Sequence, residues 1–146
     1  MNPLPFSRSR RNERGAAAVE IAILTPVVLL VVAVMVAGAR VWLARAAVSD
    51  AASSGARAAT LEYTAQAAQQ RGRAIALDGL VDVPCATRAV TLNTSGFAIA
   101  VGQPANVTAH VTCVVDLADL VGFGIPGSIT VEASAVSALD TYRRRA

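Results

Sequence analysis

Residues 14–39 read RGAAAVEIAILTPVVLLVVAVMVAGA, and this stretch decides the fold. From Ile21 to Ala39 it contains no charged residue. Because an α-helix rises 1.5 Å per residue, a helix over residues 16–39 extends about 36 Å, which exceeds the roughly 30 Å hydrocarbon core of a bilayer. A helix packed in a globular core usually keeps one polar face, and this run has none. Residues 16–39 are therefore predicted to form a transmembrane helix.

The charges that flank this run predict its orientation. Four arginines precede it: Arg8, Arg10, Arg11 and Arg14. Together with Glu13 they account for the net charge of +3. Cytoplasmic flanks of membrane helices are rich in basic residues, so residues 1–15 are expected to be a basic cytoplasmic leader. The chain is then expected to be a single-pass membrane protein, with its N-terminus in the cytoplasm and its C-terminal domain extracytoplasmic.

The same charge distribution argues against a nucleic-acid partner. A sequence pI near 9.5 would favour nucleic-acid binding if the basic residues lay on a folded domain. Here the excess lies in a short flank of an apolar run, so no nucleic-acid partner is expected. A mean hydropathy of +0.50 over 146 residues fits one membrane segment followed by one small domain.

A cleaved secretory signal is the alternative interpretation of the apolar run. Signal peptides have a shorter apolar region, of about 7–15 residues, followed by small residues at the cleavage site. Small residues do follow this run, for example at Ala44-Arg45-Ala46. This alternative predicts a mature N-terminus near Ala46 or later.

Residues 40–60 are rich in alanine and contain no proline, so the membrane helix is predicted to continue outward as a stalk. Trp42 lies where an interfacial aromatic residue is expected. Small residues recur at four-residue steps, at Ala47, Ala51, Gly55 and Ala59. Such a ridge lets another helix or a sheet approach closely, although an alanine-rich helix would show the same spacing by composition alone.

The remainder of the chain predicts one short helix and a sheet. Residues 64–77 fit a second, polar helix that Thr64 would cap, and Asp78-Gly79 fits a turn. Beyond Thr87, apolar and polar residues alternate in four short runs, which is typical of half-buried strands. The runs centre on residues 90–92, 97–101, 107–113 and 129–135, with turns at 93–96 and 102–104 and a loop at 121–127.

These elements predict an α+β fold: a long N-terminal transmembrane helix that extends outward, a second short helix, and a small antiparallel sheet of about four strands. The expected organisation is a leader at 1–15, a transmembrane helix at 16–39, an extracytoplasmic helical stalk at 40–80, and a small disulfide-linked β domain at 81–146.

Cys85 and Cys113 are the two cysteines, and both lie on the predicted exterior side, where thiols oxidise. A zinc site would need further ligands, and His110 alternates to the opposite face of its strand from Cys113. A redox pair more often has the Cys-x-x-Cys spacing. A structural disulfide is therefore expected, with no metal and no cofactor.

Enzymatic chemistry finds no support in the sequence, and the chain is not expected to be an enzyme. His110 is a lone histidine on the polar face of a strand. Asp116 and Asp119 flank a loop and fit the cap of a short helix better than a metal site. Gly122-Phe123-Gly124 is not followed by a helix that carries Lys or Ser, as a phosphate-binding loop would require.

Glu20 is the unusual residue of the membrane segment. An ionisable group within such a segment is costly and usually has a partner. The alternative is that its carboxylate reaches the headgroup layer, because Glu20 lies only about 6 Å along the helix from Ala16. Pro26 removes one helix hydrogen bond in mid-membrane and is expected to kink the helix.

The segment from Arg14 to Pro26 resembles a type IV prepilin leader, in which cleavage follows a glycine and glutamate is the fifth mature residue. More closely, it resembles the start of TadE-like (TadE/TadG) proteins, the pilin-like components of tight-adherence pilus systems. The matching positions are Arg14, Gly15, Val19, Glu20 and Pro26. The sequence departs from these patterns at Thr25, where leucine is usual, and at Ala16, where prepilins favour phenylalanine. Weaker similarity continues at Arg57, Ile125-Pro126-Gly127, Asp140 and Tyr142-Arg143.

The resemblance implies a non-enzymatic pseudopilin-like or minor pilin-like component of a tight-adherence (type IVb-like) pilus assembly or secretion system. It implies cleavage between Gly15 and Ala16 by a prepilin-type peptidase, and assembly contacts through Glu20 and Pro26. The implied partners are pilin or other TadE-like proteins, subunits of the pilus or secretion machinery, and the membrane. The alternative function is a signal-anchored extracytoplasmic binding domain that has no connection with a pilus.

Overall fold

The structure is a computed structural model that describes residues 10–116, 118 and 126–144, with side chains described from Ala18 onward. Its elements in chain order are α1 (Arg10–Thr60), α2 (Ala65–Asp78), β1 (Thr87–Asn93), a 3₁₀ turn (Ser95–Ala98), β2 (Ala105–Asp116) and β3 (Ser128–Leu139). The predicted α+β fold is therefore confirmed. The contacts within the chain define two compact units, Met1–Gly38 and Ala39–Ala146.

Several sequence predictions fall on residues outside the described ranges. They concern Asp119, most of the loop at 121–127 with its Gly122-Phe123-Gly124 segment, Ile125, and residues 1–9 of the leader.

Helix α1 acquires a buried face only in its second half. The buried residues there are Ala44, Val48, Ala51, Ala52, Gly55, Ala56 and Ala59. Their spacing of three and four residues places them on one side of an α-helix. All but Val48 are alanine or glycine, so neighbouring elements can pack close to the helix axis.

Helix α2 begins as the sequence predicted. The Thr64 hydroxyl accepts a hydrogen bond from the backbone N–H of Ala67 at 3.2 Å, which satisfies one of the unpaired donors of the first turn. At the other end, the Gly79 N–H donates to the Ile75 carbonyl at 3.1 Å. The predicted turn at Asp78-Gly79 is confirmed, and the chain then leads through Cys85 into β1.

The sheet is an antiparallel meander in the order β1-β2-β3. Along β2, alternate residues from Val107 to Val115 are buried, whereas His110 and Asp116 are exposed. The buried row continues across the sheet through the registers Val90↔Val111 and Val111↔Ala133. This row packs in one hydrophobic cluster with Ala44 and Val48 of α1, so the sheet covers the buried face of the stalk.

The prediction of about four strands is wrong, because the run at 97–101 is not a strand. Residues 95–98 form the 3₁₀ turn, which starts where the Asn93 side chain accepts a hydrogen bond from the Ser95 N–H at 3.0 Å. Phe97 is buried against Val107 and Leu139, whereas Ile99 and Val101 are 41% and 50% exposed. The alternation at 97–101 therefore reflects one anchoring aromatic residue and two surface residues, and not a strand face.

Candidate membrane and assembly site

Residues 18–38 of α1 form an apolar surface without a buried face. Between Val19 and Val36 every large apolar side chain is at least 45% exposed. By length and composition, the described helix from Ala18 to Thr60 includes a segment that can cross a membrane, and none of that apolar window is buried within the chain. Because exposed apolar surface on all sides of a helix is unfavourable in water, this segment is a candidate membrane anchor.

Glu20 is exposed on this apolar helix. Its described neighbours one helical turn further along are Ile23 and Leu24, both apolar and exposed. Among side chains from Ala18 onward in the described ranges, none forms a hydrogen bond or ion pair with its carboxylate. The carboxylate thus projects from the membrane-anchor surface, where a second helix could reach it.

The helix continues through Pro26 without interruption. Proline has no backbone N–H, so the Ala22 carbonyl lacks its usual donor at this point. One residue before it, the Thr25 hydroxyl donates to the Ile21 carbonyl at 2.6 Å. A Ser or Thr that bonds back to this carbonyl position often bends a helix. Thr25 and Pro26 therefore change the hydrogen bonding of two adjacent helix carbonyls, those of Ile21 and Ala22. In the sequence, Thr25 stood out only as a departure from the family pattern.

Gly15 and Ala16, the predicted processing residues, lie within α1, whose first residue is Arg10. The helix therefore extends into the segment that the sequence assigned to the leader. The described side chains begin at Ala18, beyond both residues.

Cys85 and Cys113 are joined by a disulfide, with their Cα atoms 5.4 Å apart. Cys113 is fully buried in β2, and the bond connects it to the segment between α2 and β1. Next to Cys85, the Ala86 N–H donates to the Val114 carbonyl at 2.7 Å, so backbone and disulfide together hold this segment on the sheet. His110 is exposed on the opposite face from Cys113.

Arg143, one of the C-terminal residues that carry weak family similarity, contacts the end of α1. Arg143 donates to the Thr60 carbonyl at 3.4 Å, and its guanidinium lies 4.0 Å from the centroid of the Tyr63 ring. Asp140 accepts a hydrogen bond from the Tyr142 N–H at 2.9 Å, which shapes the turn that presents Arg143. A cation such as Arg143 is favourable near the C-terminal carbonyls of a helix. The sequence does not indicate which helix end it contacts, and the fold shows that it is the end of α1.

The small-residue ridge of α1 packs against α2. Gly55 and Gly72 lie opposite each other, and β-carbons on them would lie 2.9 Å and 2.8 Å, respectively, from the carbonyl oxygen of the other residue. A β-carbon on Gly79 would lie 3.5 Å from the Ala51 β-carbon, which is an ordinary contact distance. Ala51, Gly55 and Ala59 of the ridge are therefore used in contacts within the chain.

Within the described residues, no group of three or more His, Cys, Asp or Glu side chains is arranged to hold a metal ion.

Comparison with known proteins gives one match. Residues 15–57 match the family model described as TadE-like protein, in agreement with the resemblance inferred from the sequence. The matched segment contains Gly15, Glu20 and Pro26 and ends within α1, so the disulfide and the sheet lie outside it. No curated protein and no solved structure matches the chain.

Proposed function

We propose that this chain, whose TadE-like segment implies a protein associated with the tight-adherence pilus, is a non-enzymatic pseudopilin-like or minor pilin-like subunit of the assembly. One observation carries the proposal: the family match at residues 15–57 includes the apolar run of α1, whose large side chains are all exposed. The segment that resembles the family thus includes the surface left available to lipid and to neighbouring helices, together with most of the helix that packs against the sheet. In the proposed role, α1 is both the anchor and the assembly element.

The proposed location is the bacterial cytoplasmic membrane, with the N-terminus inside. The arginine-rich flank before the apolar run supports this orientation. The disulfide supports an extracytoplasmic position of the sheet, because disulfides persist in oxidising compartments. Thiol labelling of Ser9→Cys and Ser134→Cys in cells that lack a prepilin-type peptidase tests the orientation, because Ser9 lies in the leader that the proposed cleavage removes. Membrane-impermeant reagent outside intact spheroplasts should label Ser134→Cys and leave Ser9→Cys unmodified, and the reverse pattern would contradict the topology.

The proposed processing step is cleavage between Gly15 and Ala16 by a prepilin-type peptidase. Such a peptidase must accommodate the residue before the bond, and glycine has no side chain to clash. Cleavage would create a positively charged amine on Ala16, one helical turn from Glu20.

The proposed assembly contact joins Glu20 to the Ala16 amine of a neighbouring subunit. A carboxylate at low dielectric is costly unless it is paired, and its exposed position on α1 leaves it accessible to another chain. Pairing within one chain is the competing arrangement, because Ala16 and Glu20 are four residues apart on one helix. The proposed partners are pilin or other TadE-like proteins and platform subunits of the secretion machinery.

Deletion of the gene in a piliated strain tests the proposed function. Pilus output on the cell surface should fall and should return with wild-type complementation, and an affinity tag after Ala146 should recover pilin or platform subunits from detergent-solubilised membranes. Normal piliation in the deletion strain, together with recovery of no pilus subunit, would instead favour an independent binding domain.

A further inference from the structure

A groove of about 490 Å³ lies on the Ala39–Ala146 unit, between α1 and the segment that follows α2. Its helix side includes Arg40, Leu43 and Ala47, and its other side includes Asp82, Val83 and Pro84. The lining is mainly apolar, and Arg40 and Asp82 provide one cation and one anion. Neither the proposed anchor nor the proposed assembly contact uses this groove.

The position of the groove along α1 corresponds to the headgroup layer of a membrane. The uncharged run ends at Ala39, and Arg40 is the first charged residue after it. Ala47 lies about 12 Å beyond Ala39 along the helix axis. The headgroup layer is about 5–7 Å thick on each side of the hydrocarbon core. The helix wall of the groove therefore starts at the edge of the hydrocarbon core and ends just beyond the headgroups.

One residue of the groove lining and two residues next to the lining in sequence are large, apolar and exposed. Trp42 is 68% exposed, Leu43 59% and Val81 60%. Val81 stands between Leu80 and Val83, which are both buried in the core cluster, so its segment is held firmly while its own side chain points outward. Tryptophan and neighbouring apolar residues are favoured where a membrane meets water.

We propose that a phospholipid of the surrounding bilayer occupies this groove, so that residues 80–84 also contact the membrane. This inference rests on the proposed membrane anchorage of α1. The apolar lining receives the glycerol backbone and the first acyl carbons.

The chain contains one tryptophan, so its fluorescence provides a clean test. The full chain is reconstituted in phosphatidylethanolamine–phosphatidylglycerol vesicles whose acyl chains are brominated near the glycerol. Three proteins are compared: wild type, Val81→Trp in a Trp42→Phe background, and Tyr142→Trp in the same background. Tyr142 is the matched control, because it is 88% exposed and its neighbour Arg143 contacts Thr60, about 32 Å along α1 from Ala39.

The proposal predicts that wild type and the Val81→Trp variant lose most of their emission to brominated lipid, whereas the Tyr142→Trp variant keeps its emission and responds to aqueous iodide. Two results would overturn the proposal while the anchorage stands. In the first, the Val81→Trp variant is quenched by iodide and not by lipid, which places the segment in water. In the second, it is protected from both quenchers, which indicates a protein occupant. If wild-type Trp42 also resists brominated lipid, the anchorage itself fails.

Discussion

Gly72 of α2 lies directly against the backbone of Gly55 in α1, so closely that a β-carbon on Gly72 would be 2.8 Å from the Gly55 carbonyl oxygen. The same β-carbon would lie 3.0 Å from the Ala59 β-carbon and would collide with the Leu92 side chain. Leu92 can move, but the Gly55 carbonyl belongs to a helix backbone and cannot move without shifting α1. This contact sets the distance between the two helices of the stalk.

We expect Gly72→Ala to destabilise the Ala39–Ala146 unit by about 1–3 kcal/mol, the usual cost of overpacking, partly offset by the better helix propensity of alanine. Thermal unfolding of the detergent-solubilised chain, monitored by circular dichroism, measures this loss of stability. Gly79→Ala is the matched control, because a β-carbon there would make an ordinary contact of 3.5 Å with Ala51. Equal melting temperatures for the two variants would show that α1 and α2 are not packed as described.

Removal of the disulfide should destabilise the same unit more strongly. The bond joins residues 28 positions apart, and loop-closure entropy predicts a loss of about 3–4 kcal/mol for the Cys85→Ala/Cys113→Ala double variant. Intact mass analysis of protein purified from membranes without reductant checks the bond itself. Two free thiols in that protein would contradict it.

Arg143→Ala should loosen the junction between the C-terminal turn and the end of α1. The variant loses both the ring contact with Tyr63 and the hydrogen bond to the Thr60 carbonyl, and we expect a destabilisation of about 1 kcal/mol. Arg144→Ala removes the same charge from an exposed neighbour and serves as the control. The account of this junction fails if both substitutions lower the unfolding midpoint equally.

Gly15→Leu tests the proposed processing. A leucine side chain before the bond should block a peptidase that accepts glycine, so the variant should keep its leader while wild type starts at Ala16. N-terminal sequencing of both proteins from cells with an active prepilin peptidase gives the answer. A wild-type protein that retains its leader there would identify an uncleaved relative.

The parts of this molecule that the sequence predicted depend on local patterns. The apolar run, the Thr64 cap and the alternation along β2 each report neighbours within a few residues, and the structure contains all three. Residues 97–101 show the same alternation as β2, but the structure uses Phe97 as a single anchor in a 3₁₀ turn, because its burial depends on the distant Val107 and Leu139. A period-two pattern cannot distinguish these two outcomes.

The candidate site shows the same division between local and distant contacts. Glu20 stands out in the sequence because it is a charged residue beside a long apolar run, and Pro26 because it removes a helix hydrogen bond at a spacing from Glu20 that matches the family. Arg143 gave no comparable signal, since its partners Thr60 and Tyr63 are about 80 residues earlier in the chain. The ridge at Ala51, Gly55 and Ala59 was recognised from its spacing, whereas α2 as its partner required the fold.

The central claim is that the apolar half of α1 assembles with pilus subunits through Glu20. The most direct measurement is the recovery of pilin and platform subunits with tagged chain from detergent-solubilised membranes, compared among wild type, Glu20→Gln and Glu132→Gln. The control residue Glu132 is exposed on the sheet and loses the same charge. The account predicts that Glu20→Gln inserts normally and keeps its disulfide but recovers far less partner and lowers pilus output, while Glu132→Gln behaves as wild type. Unchanged partner recovery and unchanged pilus output in Glu20→Gln would contradict it.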